Sequence, residues 1–215
     1  MNQIFKLLKK FYPNAKIALN YKTPIDLLVA TILSAQCTDK RVNIVTEALF
    51  KKYKTAKDYA DASAKDFEQE IRSTGFFRNK AKSIINSAKI IVEKYHGKVP
   101  DSMEELIKFP GVARKTASVV LYNAFNKIEG ITVDTHVIRL SQRLGLSKNK
   151  NPEKIEQDLM KIIPKPMWGD AAYLLIEHGR NICKAKKPLC PQCGLKNICP
   201  FYDSFMNKFY NGTVA

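Results

Sequence analysis

The chain is short of acid. Its 215 residues carry 20 Asp and Glu against 36 Lys and Arg, a formal net charge of +16, and no acidic side chain precedes Asp26. Such an excess attracts polyanions: nucleic acid, an anionic membrane or an acidic protein. The bland alternative is a basic protein with no specific anionic partner. Long apolar runs are also missing. The longest lies around Leu27 to Leu33, far below the roughly 20 residues of a membrane span, so no membrane association is expected. A signal-peptide core is lacking, because Lys6 interrupts Ile4, Phe5, Leu7 and Leu8, and Lys9 and Lys10 follow. A transit peptide would be Arg-rich, and this stretch has no Arg. An intracellular protein is expected, which would leave the glycosylation-like Asn211-Gly212-Thr213 unused. Strand-like alternation, internal repeats and long linkers are absent as well, which excludes β-rich and solenoid folds. Disorder is excluded by 45% hydrophobic and 10% aromatic residues.

What is present is helical. Thr23-Pro24-Ile25-Asp26 offers a cap, a Pro at the first helical position and an early acid. The apolar run that follows predicts a buried central helix containing Gln36 and a buried thiol at Cys37. Val42, Val45, Leu49 and Phe50 repeat at helical spacing, as do Ile84, Ala88, Ile91, Val92 and Tyr95 up to Gly97. Ser63 precedes a short helix, Ser102-Met103-Glu104-Glu105 reads as a capping box, and Asn151-Pro152 and Trp168 to Ile182 supply two more helices. The expected fold class is all-α, with helices of about three turns.

Two segments interrupt this pattern. Cys183, Cys190, Cys193 and Cys199 lie within 17 residues as C-x6-C-x2-C-x5-C. Four soft thiolates can surround one centre, and the spacing leaves an iron–sulfur cubane, structural zinc and disulfides open, in that order. Lys184, Lys186 and Lys187 fall between the first two cysteines, where a metal would brace a basic loop. The second segment is the tight turn Phe109-Pro110-Gly111-Val112-Ala113-Arg114-Lys115-Thr116 between two helices. Gly111 suits a sharp turn, and the helix restarting near Arg114 presents free N–H groups to a phosphate. Lys115 in that first turn is either a solvated charge or an amine nucleophile. The helix N-terminus, Arg114 and partial burial would all favour its neutral form. Asp134, in Val133-Asp134-Thr135-His136-Val137, reads as an N-cap, a role compatible with assisting a nucleophile.

In this order the segments resemble the endonuclease III family of helix–hairpin–helix DNA glycosylases. Leu33-Ser34-Ala35-Gln36-Cys37-Thr38-Asp39 is similar to the family's L-S-A-Q-x-T-D, and Pro110 to Ala117 to its P-G-V-G-R-K-T-A hairpin. Val133 to Val137 resembles its V-D-T-H segment and His178-Gly179-Arg180 its H-G-R, while the four cysteines match its cluster spacing. The resemblance raises iron–sulfur above zinc. It implies a 4Fe-4S cluster on Cys183, Cys190, Cys193 and Cys199, and two helical domains flanking a DNA groove. These would be a six-helix barrel domain with the hairpin, 20–127, and a cluster domain from both chain ends, 1–19 and 128–215. It implies a monomeric bifunctional glycosylase and AP lyase of base excision repair acting on oxidised pyrimidines and abasic sites in double-stranded DNA. Lys115 would be the nucleophile and Asp134 its assistant, with the target base flipped out of the stack. DNA contacts would come from Gln36, Phe76, Gly111, Val112, Ala113, Arg114, Lys184, Lys186 and Lys187, and pocket contacts from Ser34 and Asp39. Two positions depart from the pattern. Ala113 replaces a glycine, at a cost of about 1 kcal/mol or more if that residue has positive φ, and the aromatic Phe76 replaces an aliphatic wedge. The alternatives are a monofunctional mismatch glycosylase of the same superfamily and a non-catalytic iron–sulfur DNA-binding protein. Neither needs both Lys115 and Asp134.

Overall fold

The computed structural model describes residues 3–210, so Asn211-Gly212-Thr213 lies outside the described residues. Their fold is all-α, with no strand among the described residues. The helices are α1 (Gln3–Phe11), α2 (Pro24–Ser34), α3 (Asp39–Lys52), α4 (Ala56–Ala60), α5 (Ala64–Glu70) and α6 (Phe77–Tyr95). They continue with α7 (Met103–Leu106), α8 (Arg114–Phe125), α9 (Thr135–Arg143), α10 (Pro152–Ile162), α11 (Trp168–Asn181) and α12 (Pro200–Tyr210). None of the described helices is long and apolar enough to cross a membrane. The chain divides into two compact units, one from Ala18 to Glu129 and one joining the chain up to Ile17 with the chain from Gly130 onward.

The Ala18–Glu129 unit is organised on α2. Thr23 Oγ1 accepts from Asp26 N–H at 3.2 Å, and Asp26 Oδ2 accepts from Thr23 N–H at 3.0 Å, so the capping box closes in both directions. Every residue from Ile25 to Leu33 is buried, and α3, α6 and α8 pack against this helix. A helix apolar on all sides is stable only where neighbours cover it all round. The run ends sooner than its composition suggests. α2 stops at Ser34, Gln36 stands exposed in the following turn at φ 53°, and Cys37 is half-buried rather than buried. The Ser102 box is one-sided: Ser102 Oγ accepts from Glu105 N–H at 3.4 Å, while the Glu105 carboxylate accepts from Tyr95 and Lys108 instead of reaching back. Helix lengths also depart from about three turns, from four residues in α7 to nineteen in α6.

The other unit has its own core. Phe5 and Leu8 of α1 join Val137 and Leu140 of α9, Ile155 and Leu159 of α10, and Leu174 and Leu175 of α11. Gly179 allows α9 and α11 to approach: a Cβ there would stand 2.8 Å from both Arg139 Nη2 and His136 Nδ1.

Candidate functional site

The hairpin turn joins α7 to α8, which pack together. Gly111 has φ +76°, and a Cβ there would lie 2.9 Å from Ser83 Cβ and Oγ on α6. Conformation and space thus both require glycine. Val112 is buried, and its N–H donates to the Phe109 carbonyl at 3.1 Å, so its side chain shapes the turn from inside. Ala113 has φ −85° and ψ 170°. This is extended backbone, so the strain expected from the missing glycine is absent. Ala113 is the N-cap of α8 and supplies no side-chain acceptor. The helix thus starts without a side-chain cap, an arrangement that suits an anion at its N-terminus. Arg114 and Lys115 are both exposed in that turn, with Arg114 Nη2 donating to the Glu129 carbonyl at 3.4 Å. The expected partial burial of Lys115 is not found.

Four turns of this unit carry exposed non-glycine side chains on left-handed backbone: Gln36, Phe76, and the helix C-caps His96 and Asn126. Gln36 has φ 53° and Phe76 φ 46°, both in the left-handed region where a side chain costs about 1–2 kcal/mol. Phe76 is 63% exposed, between Gly75 and the start of α6. A strained and exposed aromatic contributes little to folding, and such positions cluster at functional surfaces. Ser34 is half-buried and its Oγ donates to the Thr31 carbonyl at 2.8 Å. Asp39, also half-buried, opens α3 behind its N-cap Thr38.

The chain-end unit carries Asp134 and the cysteines. Asp134 is the N-cap of α9, its Oδ1 accepting from Val137 N–H at 2.8 Å. Arg139 ties this helix to α11 and the cysteine segment, donating to the carbonyls of Gly179 at 3.1 Å and Cys183 at 3.2 Å and meeting His136 Nδ1 at 3.1 Å. The two motif segments, Val133 to Val137 and His178 to Arg180, thus meet in space.

Cys183, Cys190, Cys193 and Cys199 line one pocket, together with Leu144, His178, Ile182 and Phe201. They form no disulfide. Burial, and then repulsion from the other three sulfurs, pushes the Cys190 thiol up to about 11. Burial also raises Cys193 and Cys199. Two N–H groups face the sulfurs, Arg143 Nη1 to Cys183 at 3.4 Å and Leu195 N to Cys193 at 3.4 Å, and His178 Nε2 lies 3.5 Å from Cys193. Such donors suit thiolates, which a bound cation creates by displacing the protons. Among the described residues no group of three or more His, Cys, Asp or Glu side chains could hold a single metal ion. One tetrahedral zinc would need sulfurs drawn to about 3.8 Å, from Zn–S bonds of about 2.3 Å. The donor set fits a thiolate-bound group, but it is not closed to the spacing of a lone ion.

The contacts of His178, which the sequence marks only as part of the His178-Gly179-Arg180 segment, and the roles of Arg143 and Lys80 emerge only from the structure. His178 is 2% exposed, bonds to the Tyr12 hydroxyl at 3.1 Å, and burial lowers its pKa to about 4. It therefore supports the cysteine pocket as a neutral ring. Lys184, Lys186 and Lys187 are exposed as expected, but a protein side chain grips their loop: Arg143 donates to the carbonyls of Lys184 at 2.8 Å and Ala185 at 3.1 Å. Arg143 reads in the sequence as one more surface charge, as does buried Lys80.

Residues 29–165 match the HhH-GPD superfamily base excision DNA repair protein family. Endonuclease III of Synechocystis sp. is 57% identical, across 92% of this chain and 90% of its own length. The Escherichia coli endonuclease III is 36% identical across 93% and 94%. A solved non-covalent endonuclease III–DNA complex superposes with a TM-score of 0.90 at 44% identity, covering 95% of this chain and 96% of its own. A trapped endonuclease III–DNA covalent intermediate gives 0.88 at 44% identity, covering 94% of both. The segments that meet around Gly179, the glycine-dependent turn ahead of Lys115 and these full-length matches agree, and the chain belongs to the endonuclease III family of the HhH-GPD superfamily.

Proposed function

We propose that this protein is a bifunctional DNA glycosylase and AP lyase that removes oxidised pyrimidines from duplex DNA and cuts the strand 3′ to the resulting abasic site. The observation that carries the reading is Lys115: an exposed amine on the first turn of a helix whose amides have no side-chain cap. The trapped covalent DNA intermediate of a relative supports an amine nucleophile.

Hairpin amides and Arg114 hold a phosphate, reading no base. Lys184, Lys186 and Lys187 add contacts to the backbone, so affinity falls steeply with salt. The damaged nucleotide leaves the stack, Gln36 fills its place, and Phe76 stacks in the opposite strand. Lys115 Nζ attacks C1′ of the sugar, and the bond from C1′ to the base breaks with its electron pair leaving on the base. Asp134 stabilises positive charge at C1′ and accepts the proton that Lys115 sheds. Ring opening gives a Schiff base between Lys115 and the sugar. Loss of a C2′ proton then expels the 3′ phosphate by β-elimination. Ser34 and Asp39 line the pocket for the extruded base. Cys183, Cys190, Cys193 and Cys199 would hold a 4Fe-4S cluster, which when bound braces the basic loop. The protein works as a monomer, inside the cell where its DNA is.

Borohydride reduces a Schiff base to a stable amine. It should trap this protein on duplex DNA containing thymine glycol or an abasic site, and Lys115→Ala should abolish the adduct. Equal trapping by that variant would overturn the assignment.

A further inference from the structure

Lys80 is the only buried lysine among the described residues, at 6% exposed. No carboxylate pairs with it. Its ammonium donates to two backbone carbonyls, Leu33 and Thr74, each at 2.8 Å. Burying an ammonium on carbonyls alone is costly, and desolvation lowers its pKa. An apolar side chain would suit this face of α6 better if packing were its only task.

The two carbonyls explain the cation. Leu33 lies in the last turn of α2, where carbonyls lack intrahelical donors and the helix dipole is negative. Gln36 follows three residues later. Thr74 lies just ahead of the Gly75–Phe76 turn, and on the other side of that turn Lys80 N–H donates to the Phe76 carbonyl at 3.1 Å. One residue therefore grips the Phe76 turn before and after its strained position and joins it to the end of α2. Gln36 and Phe76 share a profile: exposed, left-handed and not glycine. α2 and α6 pack together, and Lys80 adds a direct bond between the end of α2 and the turn that opens α6.

We propose that Lys80 is a positioning residue whose ammonium locks the Gln36 and Phe76 turns at one spacing, so that both side chains enter the DNA stack together. This rests on the proposed roles of Gln36 and Phe76. A shift of about 1 Å in a positioned group can cost on the order of a hundredfold in rate, so a brace between two probes bears on base extrusion more than on affinity.

The test uses the full chain and a thymine-glycol duplex with 2-aminopurine, a base that brightens when unstacked, opposite the lesion. Anisotropy reads binding, 2-aminopurine brightening reads insertion, and single-turnover base release reads chemistry. The unaltered protein should brighten the damaged duplex and not an undamaged one. No brightening would overturn the insertion reading itself, separately from the lysine. Lys80→Met keeps the stem and removes the ammonium. It should bind within about threefold of the unaltered protein, while brightening and base release each fall by about tenfold or more. In a Phe76→Ala background the same change should add less than about twofold, since no wedge remains to be placed. Lys80→Gln keeps N–H donors for the two carbonyls and should lie between; it decides the question by the same criteria where Lys80→Met does not fold. A variant that melts lower yet brightens and turns over normally overturns the proposal, as does full additivity with Phe76→Ala.

Discussion

The turns of the Ala18–Glu129 unit and the cysteine loop of the chain-end unit are built differently. Gln36, Phe76 and Gly111 sit at the ends of packed helices, and α2 beneath them is buried from Ile25 to Leu33. Between Cys183 and Cys199 the only helical pieces are two 3-10 turns, Cys190–Gln192 and Lys196–Ile198, and the only buried side chains are Cys183, Cys190, Cys193 and Leu195. The first region is shaped by backbone conformation over a finished apolar core. The second gathers four sulfurs around one pocket, and Arg143 holds its backbone. Both end in a rigid display of charge or shape, and the contrast predicts that they fail in different ways.

The largest effect is expected at the sulfurs. If the four cysteines hold the proposed cluster, Cys190→Ser should cost about 3 kcal/mol or more, because loss of one ligand would release a group whose binding energy is also folding energy. Trypsin should then cut after Lys184 and Lys186, Lys187 being shielded by Pro188, while the segment 18–129 stays protected, as mass spectrometry of the fragments would show. Resistance at those lysines would remove the contrast. Gly111→Ala attacks the other region through its backbone. The left-handed φ and the 2.9 Å approach to Ser83 together predict a loss of about 2 kcal/mol or more in denaturant melts. Weaker DNA binding should accompany it, with the cysteine loop still protected. A Gly111→Ala protein that loses protection at Lys184 would show that the two regions are not independent.

Arg143 offers a finer cut. Arg143→Lys keeps the charge but cannot reach two carbonyls and a sulfur with one planar fork. It should cost about 1–2 kcal/mol and speed cleavage at Lys184 without touching the hairpin. This residue also shows where sequence reading stops. The start of α2 was legible because capping chemistry is local: Thr23, Pro24 and Asp26 lie within four positions of one another. The gathering of four free cysteines around one pocket was legible because they recur at short spacing. Lys80 and Arg143 were not, because their roles depend on distant partners: Lys80 meets Leu33 across 47 positions and Arg143 meets Cys183 across 40. In a helical pattern each reads as a solvated charge. The end of α2 was hidden too, since no Gly, Pro or Asn marks it and Gln36 takes the left-handed conformation unannounced. At Ala113 the composition suggested strain, and only the backbone angles show that there is none.

Ala113 yields the smallest stability effect and the most direct test of why the hairpin helix is left uncapped. The position is exposed, its backbone is already that of an N-cap, and an Asp side chain there could accept the first-turn amides of α8. An acidic cap in place of Ala is worth about 1 kcal/mol, and its charge complements the helix dipole. Ala113→Asp should therefore melt higher than the unaltered protein. The same carboxylate would occupy the amides proposed to hold a phosphate and add a negative charge beside it, so DNA affinity should fall by about tenfold or more. Thermal melts and anisotropy titrations at one salt concentration would read the two effects. A gain in both stability and affinity would show that phosphate is held elsewhere. A gain in stability with a loss of affinity would mean that this helix start forgoes a stabilising cap in order to bind DNA.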